Sequence, residues 1–175
     1  APNKHANIIL IESMILQNDL EKALGAADAS FMRFREESDI LALKLYILKK
    51  LGRTEQLRKT MEEADMALAR QDFDTQAQND LRAGDLVSAQ LHADIAACAS
   101  PQDTYALYVT GQVKNRLGLY KEAMADLKTS LDLNGSADQI HAGKVYAELS
   151  KVQKAIGLDK EAEKSRQAAL RFRKS

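Results

Sequence analysis

Five residues suited to left-handed backbone recur at near-constant separation along the chain: Asn18, Gly52, Gly84, Gly118 and Gly157, at intervals of 34, 32, 34 and 39 residues. Glycine takes positive φ at no steric cost, and asparagine takes it more readily than most side chains, so each mark predicts a tight turn closing a helix. Small residues follow each mark in register. Five positions on stand Ala23, Leu57, Ala89, Ala123 and Ala162, and twelve positions on stand Ser30, Ala64, Ala96, Ser130 and Ala169. A separation of seven makes about two helical turns, so both sets share one face, and their small size lets a second helix come close. Seven positions before the marks lie Ile11, Leu45, Ala77, Gly111 and Ser150, which would face those small residues across a hairpin. Gly111 permits the closest approach. The pattern predicts an all-α chain of about five antiparallel hairpins in a single repeat domain, with units near 4–37, 38–69, 70–103, 104–142 and 143–175.

Composition agrees with helices. Two prolines, eight glycines and no tryptophan stand beside abundant Ala, Leu, Lys, Glu and Gln, and strand-like alternation is absent. The 25 basic and 25 acidic residues cancel, which removes any overall draw toward nucleic acid or an anionic membrane and leaves recognition to local patches. Cys98 stands alone, so an internal disulfide and a multi-cysteine metal site are both excluded, as fits a reducing compartment. The apolar run Ile8–Ile11 breaks at Glu12 and resumes over Met14–Leu16, too short to insert in a membrane. No basic leader with a cleavage site is visible, so a soluble chain is expected, its compartment open. Ala1 in place of methionine is expected of a processed chain or a fragment.

Local signals place some boundaries. Ser100, Pro101 and Asp103 predict an N-cap, a first-turn proline and an acidic third position. Asn134-Gly135 predicts a stop, and Ser136 with Gln139 a capping box for the next helix. The sequon Asn134-Gly135-Ser136 is then explained as a turn, and a longer connection here would account for the 39-residue interval. Between Gly52 and Gly84 no breaker occurs, so either a loop near Ala69–Asp72 or one helix from about Thr54 to Arg82 is expected.

Residues 104–137, with Leu107, Gly111, Gly118, Tyr120, Ala123, Leu127 and Leu131, resemble the tetratricopeptide repeat family. Residues 143–170 follow with Tyr146, Leu149, Gly157, Ala162, Ala169 and Leu170, and the earlier units are degenerate. The resemblance implies a right-handed α-solenoid acting in protein–protein interaction, with a concave groove lined by the first helix of each hairpin. Carried across, the groove positions are His5, Ile8, Ile9 and Glu12, then Asp39, Tyr46, Lys49 and Lys50, then Gln78 and Arg82. Tyr105, Tyr108, Gln112, Asn115 and Arg116 come next, and Lys144, Glu148, Lys151 and Lys154 close the set. Basic residues interleaved with tyrosines suit a protein or peptide partner bearing acidic and hydrophobic side chains, while tyrosines partly in the core and lysines that only solvate a helix are the alternative. The family's carboxylate clamp for chaperone tails is not expected, because Ile8, Glu12, Leu43, Gln71 and Thr75 occupy its positions.

Ile8, Ile9, Leu10, Ile11, Met14, Ile15 and Leu16 cover almost the whole first helix. Ile8, Ile9, Ile15 and Leu16 therefore form a candidate association surface, covered by a second copy, an upstream segment, a partner helix or the chain's own neighbours. At the other end Asp159 and Arg166 stand where inner units are apolar, as expected of a terminal helix.

No catalytic residue, metal site or cofactor is expected. His5, His92 and His141 fall in different units and read as surface residues, with Asp138–His141 the nearest approach to a ligand pair. Glu36-Glu37 and Glu62-Glu63 are adjacent and point apart, Cys98 reads as a small core residue, and Arg166, Arg171, Arg173 and Lys174 complement a helix C-terminus. The expected function is a non-enzymatic scaffold or adaptor, by family habit in a multiprotein assembly or secretion system. An accessory region of a larger enzyme or transporter, or a self-associating scaffold, is the alternative.

Overall fold

The computed structural model describes residues 3–34, 38–62, 66–135 and 137–172, with the backbone alone over 62 and 66–72. Among the described residues are ten helices and no strand: α1 (Lys4–Leu16), α2 (Leu20–Arg33), α3 (Ser38–Lys50), α4 (Thr54–Glu62), α5 (Met66–Ala83), α6 (Leu86–Ala99), α7 (Thr104–Arg116), α8 (Tyr120–Asn134), α9 (Gln139–Ala155) and α10 (Asp159–Phe172). Ala64, Ser136, Glu36, Glu37, Glu63, Arg173 and Lys174 lie outside the described residues.

Every predicted elbow has left-handed backbone, with φ of 59° at Asn18, 69° at Gly52, 82° at Gly84, 77° at Gly118 and 78° at Gly157. The hydrogen bonding is the same at all five. At the fourth, Gly118 N donates to Asn115 O and Leu119 N to Lys114 O, the paired closure that satisfies the last carbonyls of a helix. Ala123 N then donates to Leu119 O, so only three residues separate the old helix from the new one. A connection this short forces the two helices to lie antiparallel as neighbours.

The small residues sit where those neighbours meet. Ala23, Ala89, Ala96, Ala123 and Ser130 are fully or almost fully buried. A Cβ added to Gly111 would lie 2.7 Å from Leu127 Cγ and 3.4 Å from Ala123 O, so the missing side chain lets α8 pack directly on the backbone of α7. Ser150 holds the matching position in the last hairpin, and its hydroxyl donates to Ala162 O at 2.8 Å.

The chain divides into two compact units, Ala1–Phe73 with Asp94–Ser100, and Asp74–Ala93 with Pro101–Ser175. In the first, α3 is apolar on nearly every side and packs against α1, α2 and α4. Ile40, Leu43, Leu45, Ile47 and Leu48 are its largest fully buried side chains, each such burial contributing about 1.5–3 kcal/mol. In the second, Ala77, Ala89, Val109, Val113, Leu127, Val145 and Val152 form one continuous core beneath α7, α8 and α9.

Four local expectations are corrected. Helix α5 runs unbroken through residues 69–72, so the loop expected there does not exist; the junction that would decide a single helix over 54–82, residues 63–65, lies outside the described residues. Asp103, not Ser100, caps α7: its Oδ1 accepts from Tyr105 N at 2.8 Å and Ala106 N at 2.9 Å, while Ser100 N closes α6 on Ala96 O. Asp138 caps α9 through His141 N at 2.9 Å. The long interval comes from the helices: the connections 100–103 and 135–138 are equal in length, whereas α9 has 17 residues against 13 in α7.

Candidate functional site

Within the second unit an open groove of about 440 Å³ runs over the first helices of three successive hairpins. Helix α5 supplies Gln78, Leu81 and Arg82; α7 supplies Tyr105, Tyr108, Gln112, Asn115 and Arg116; α9 supplies Lys144, Glu148 and Lys151. Residues three or four apart on a helix share a face, and the positions drawn from each helix follow that spacing.

The floor is aromatic. The rings of Tyr105 and Tyr108 lie 6.1 Å apart, and the ring of His141 meets Tyr108 edge-on at 5.7 Å. Tyr108 is buried, its hydroxyl accepts from Gln112 Nε2 at 2.9 Å, and burial pushes its pKa up to about 12, helped by the charge of Glu148. It is a floor residue more than a contact. Tyr105 is half-buried and lines the groove. The Ser130 hydroxyl donates to Thr104 O at 2.7 Å, so it accepts from His141 Nε2 at 3.0 Å. Burial holds His141 below the usual imidazole range, leaving it neutral near neutral pH.

The walls are cationic. Glu148, the single carboxylate, is buried and compensated: Asn115 Nδ2 donates to one oxygen at 2.6 Å and Lys151 Nζ meets the other at 2.8 Å. Arg82 Nη1 donates to the Asn79 amide oxygen at 3.0 Å. Arg116 and Lys144 are exposed and have no carboxylate partner among the described residues. Net positive potential in a concave surface draws anionic guests, and a guanidinium can hold a carboxylate with two parallel hydrogen bonds.

Every groove position inferred on α5, α7 and α9 lines this surface except Lys154, which is exposed beyond its end. Leu81 was missed, although it stands three residues before its elbow as Asn115 and Lys154 do, so the repeat register marks it. His141 had no such signal, because the extra turn of α9 that carries it has no counterpart in α7. The reading of His141 and His92 as surface residues is overturned: His141 is buried against Ser130, and His92 Nδ1 lies 2.6 Å from Asp80 Oδ2 between α6 and α5. The Asp138–His141 pair is a helix cap.

Tyr46, Lys49 and Lys50 belong to the first unit. Tyr46 is buried, with its hydroxyl pushed up to about 12 by desolvation and the nearby charge of Asp94, and Lys50 Nζ caps its ring at 5.3 Å. On α1, Ile8 and Ile15 are buried by the chain itself, so they cannot form an association surface. Ile9, Leu10 and Leu16 remain about half exposed. Among the described residues no cluster of His, Cys, Asp or Glu could hold a metal, and no helix is long and apolar enough to cross a membrane.

No family model and no curated protein matches the sequence. Solved structures match the fold. A crystal structure of MamA protein aligns with a TM-score of 0.51 at 13% identity, covering 98% of this chain and 92% of that one. MamA from Desulfovibrio magneticus RS-1, residues 41 to the end, aligns at 0.50 and 14%, covering 98% and 95%. The APC/C hetero-tetramer Cut9-Hcn1 aligns at 0.57 and 11%, covering 97% of this chain and 34% of that one. With five left-handed elbows in register and these neighbours, the chain has the all-α fold of the tetratricopeptide-repeat-like proteins.

Proposed function

We propose that the chain is a non-enzymatic adaptor whose α5–α7–α9 groove binds a protein segment bearing carboxylates together with an aromatic or aliphatic side chain. The observation that carries this reading is the pair Arg116 and Lys144, exposed on a groove wall with no carboxylate partner among the described residues. Leu81 and Tyr105 supply apolar surface beside them. The tail clamp of the chaperone-binding repeats is not part of this reading, since the guest is held by side-chain carboxylates along a groove.

A displayed library of acidic peptides containing Phe, Tyr or Leu tests it, with affinities of the selected peptides measured by fluorescence anisotropy. Arg116→Glu and Lys144→Glu should each weaken binding at least tenfold, and added salt should weaken the unaltered protein's binding. Lys151→Glu is a poorer probe, because it also strips the counter-charge from buried Glu148. Affinity that is indifferent to both reversals and to salt removes the groove as the binding site.

A further inference from the structure

Burial at equivalent repeat positions differs between the first and last hairpins in a complementary way. Twelve, nine and eight residues before their elbows, α7 buries Ala106, Val109 and Thr110, and α9 buries Val145, Glu148 and Leu149. The same three positions on α1 are Ala6, Ile9 and Leu10, all exposed, with Ile9 at 52% and Leu10 at 49%. These are the positions a preceding hairpin covers, and among the described residues none precedes α1.

The opposite gap lies on the other side of α9. Ten and seven residues before the elbow, α1 buries Ile8 and Ile11, and α7 buries Tyr108 and Gly111; on α9 these positions are Ala147, exposed, and Ser150, half-buried. On the second helices, Leu127 and Ser130 of α8 are fully buried, while their counterparts on α10 are Arg166, exposed, and Ala169, half-buried. Ile140 at 71% exposure and Leu170 at 43% flank the resulting apolar groove between α9 and α10. Gly143, Ala147 and Ala169 line its floor.

Inside the second unit the corresponding groove between α7 and α8 is filled by the first helix of the following hairpin, α9, with His141 bonded to Ser130 and stacked edge-on to Tyr108. In the first unit α3 fills the groove of α1 and α2 in the same way. The occupant suited to such a groove is therefore the leading helix of a hairpin, entered by its apolar outward face. We infer that the α9–α10 groove receives α1 of a second copy, with Ile9 and Leu10 of one chain seated over Gly143, Ala147 and Ala169 of another. The contact is head-to-tail, so each chain offers two different surfaces and association can propagate. It replaces the expectation that the last helix is a finished polar end.

Sedimentation of the 175-residue chain over a wide concentration range tests the contact. The unaltered protein should show mass rising with concentration. Ile9→Glu and Leu170→Glu should each hold the protein at single-chain mass, with helical circular dichroism unchanged because both sites are exposed. An equimolar mixture of the two variants should give a dimer and nothing larger, since each contributes the one intact surface the other lacks. Ala147→Arg, which blocks the groove floor, should behave as Leu170→Glu does. A protein that stays monomeric at all concentrations overturns the inference. So does association that survives Leu170→Glu and Ala147→Arg but not Ile9→Glu, which would mean that α1 pairs with α1.

Discussion

Helices α3 and α7 hold the same place in their hairpins and are used differently. Nine of the 13 residues of α3 are buried, including the tyrosine six positions before the elbow, and Lys50 lies across that ring. In α7 the corresponding groove-facing positions are Gln112, Asn115 and Arg116, which leave a polar wall open. One repeat geometry thus builds either core or an open polar groove, depending on whether its first helix is apolar all round or along a stripe. The contrast is sharpest seven residues before the elbow. Leu45 fills its hairpin with bulk, and Gly111 leaves room for the Leu127 side chain against its backbone.

Truncating that bulk should have the largest effect. Leu45 is fully buried, so Leu45→Ala removes apolar contacts and leaves a cavity, at a cost of about 2–5 kcal/mol in urea unfolding. The opposite change at the matching site should also destabilise. Gly111→Ala places a Cβ 2.7 Å from Leu127 Cγ in a fully buried side chain that has little room to move. Overpacking of this kind costs about 1–3 kcal/mol, against about 0.5–1 kcal/mol gained from replacing glycine within a helix, so the net is a loss. If Gly111→Ala proves stabilising, the close approach of α7 and α8 is not the constraint described. The elbows should act through backbone alone: around Gly52 and Gly118 an added Cβ meets nothing within 4 Å, so Gly52→Ala and Gly118→Ala should cost the same, about 1–2 kcal/mol each.

The comparison also explains what the sequence disclosed. The elbows, the small residues after them and the groove face of α7 were legible because steric demands repeat: left-handed backbone selects Gly or Asn, and close approach selects Gly, Ala or Ser. The residues that the register placed on one face of α7 line one groove. The unbroken run of α5 through 69–72 was not legible, because no glycine or proline between Gly52 and Gly84 marks a helix end. Burial of Ile8, Ile15, Tyr46 and His141 was also hidden, since each depends on a neighbouring helix rather than on its own. At the α9–α10 end Asp159 and Arg166 are exposed, with Arg166 paired within its own helix to Glu163 at 2.7 Å, and the exposed Ile140 and Leu170 stand beside them.

A smaller effect separates the two tyrosine-bearing helices. Lys50→Ala should cost about 0.5–1 kcal/mol through loss of the contact over Tyr46, measured as a shifted urea midpoint. Arg116→Ala on α7, whose guanidinium has no carboxylate partner among the described residues, should change stability by less than about 0.5 kcal/mol while weakening guest binding. Reversed outcomes would mean that α3 is the recognition helix and α7 the structural one.

The smallest effect is a dependence on pH confined to the second unit. Burial lowers the pKa of His141 from its usual 6.5 and outweighs the raising effect of Asp138. The unfolded chain therefore binds the proton more readily than the folded one, and stability must fall as the pH drops through the unfolded value toward the folded one. Above that window the imidazole is neutral in both states and contributes no slope. Urea midpoints at about pH 8 and about pH 5.5 should thus differ more in the unaltered protein than in His141→Gln, whose amide still reaches Ser130 but cannot take up a proton. Carboxylates titrate in both proteins and cancel in the difference. An equal pH response in the two would show that the ring beneath Tyr105 and Tyr108 is solvated enough to titrate normally, and that the aromatic floor of the groove is open to water.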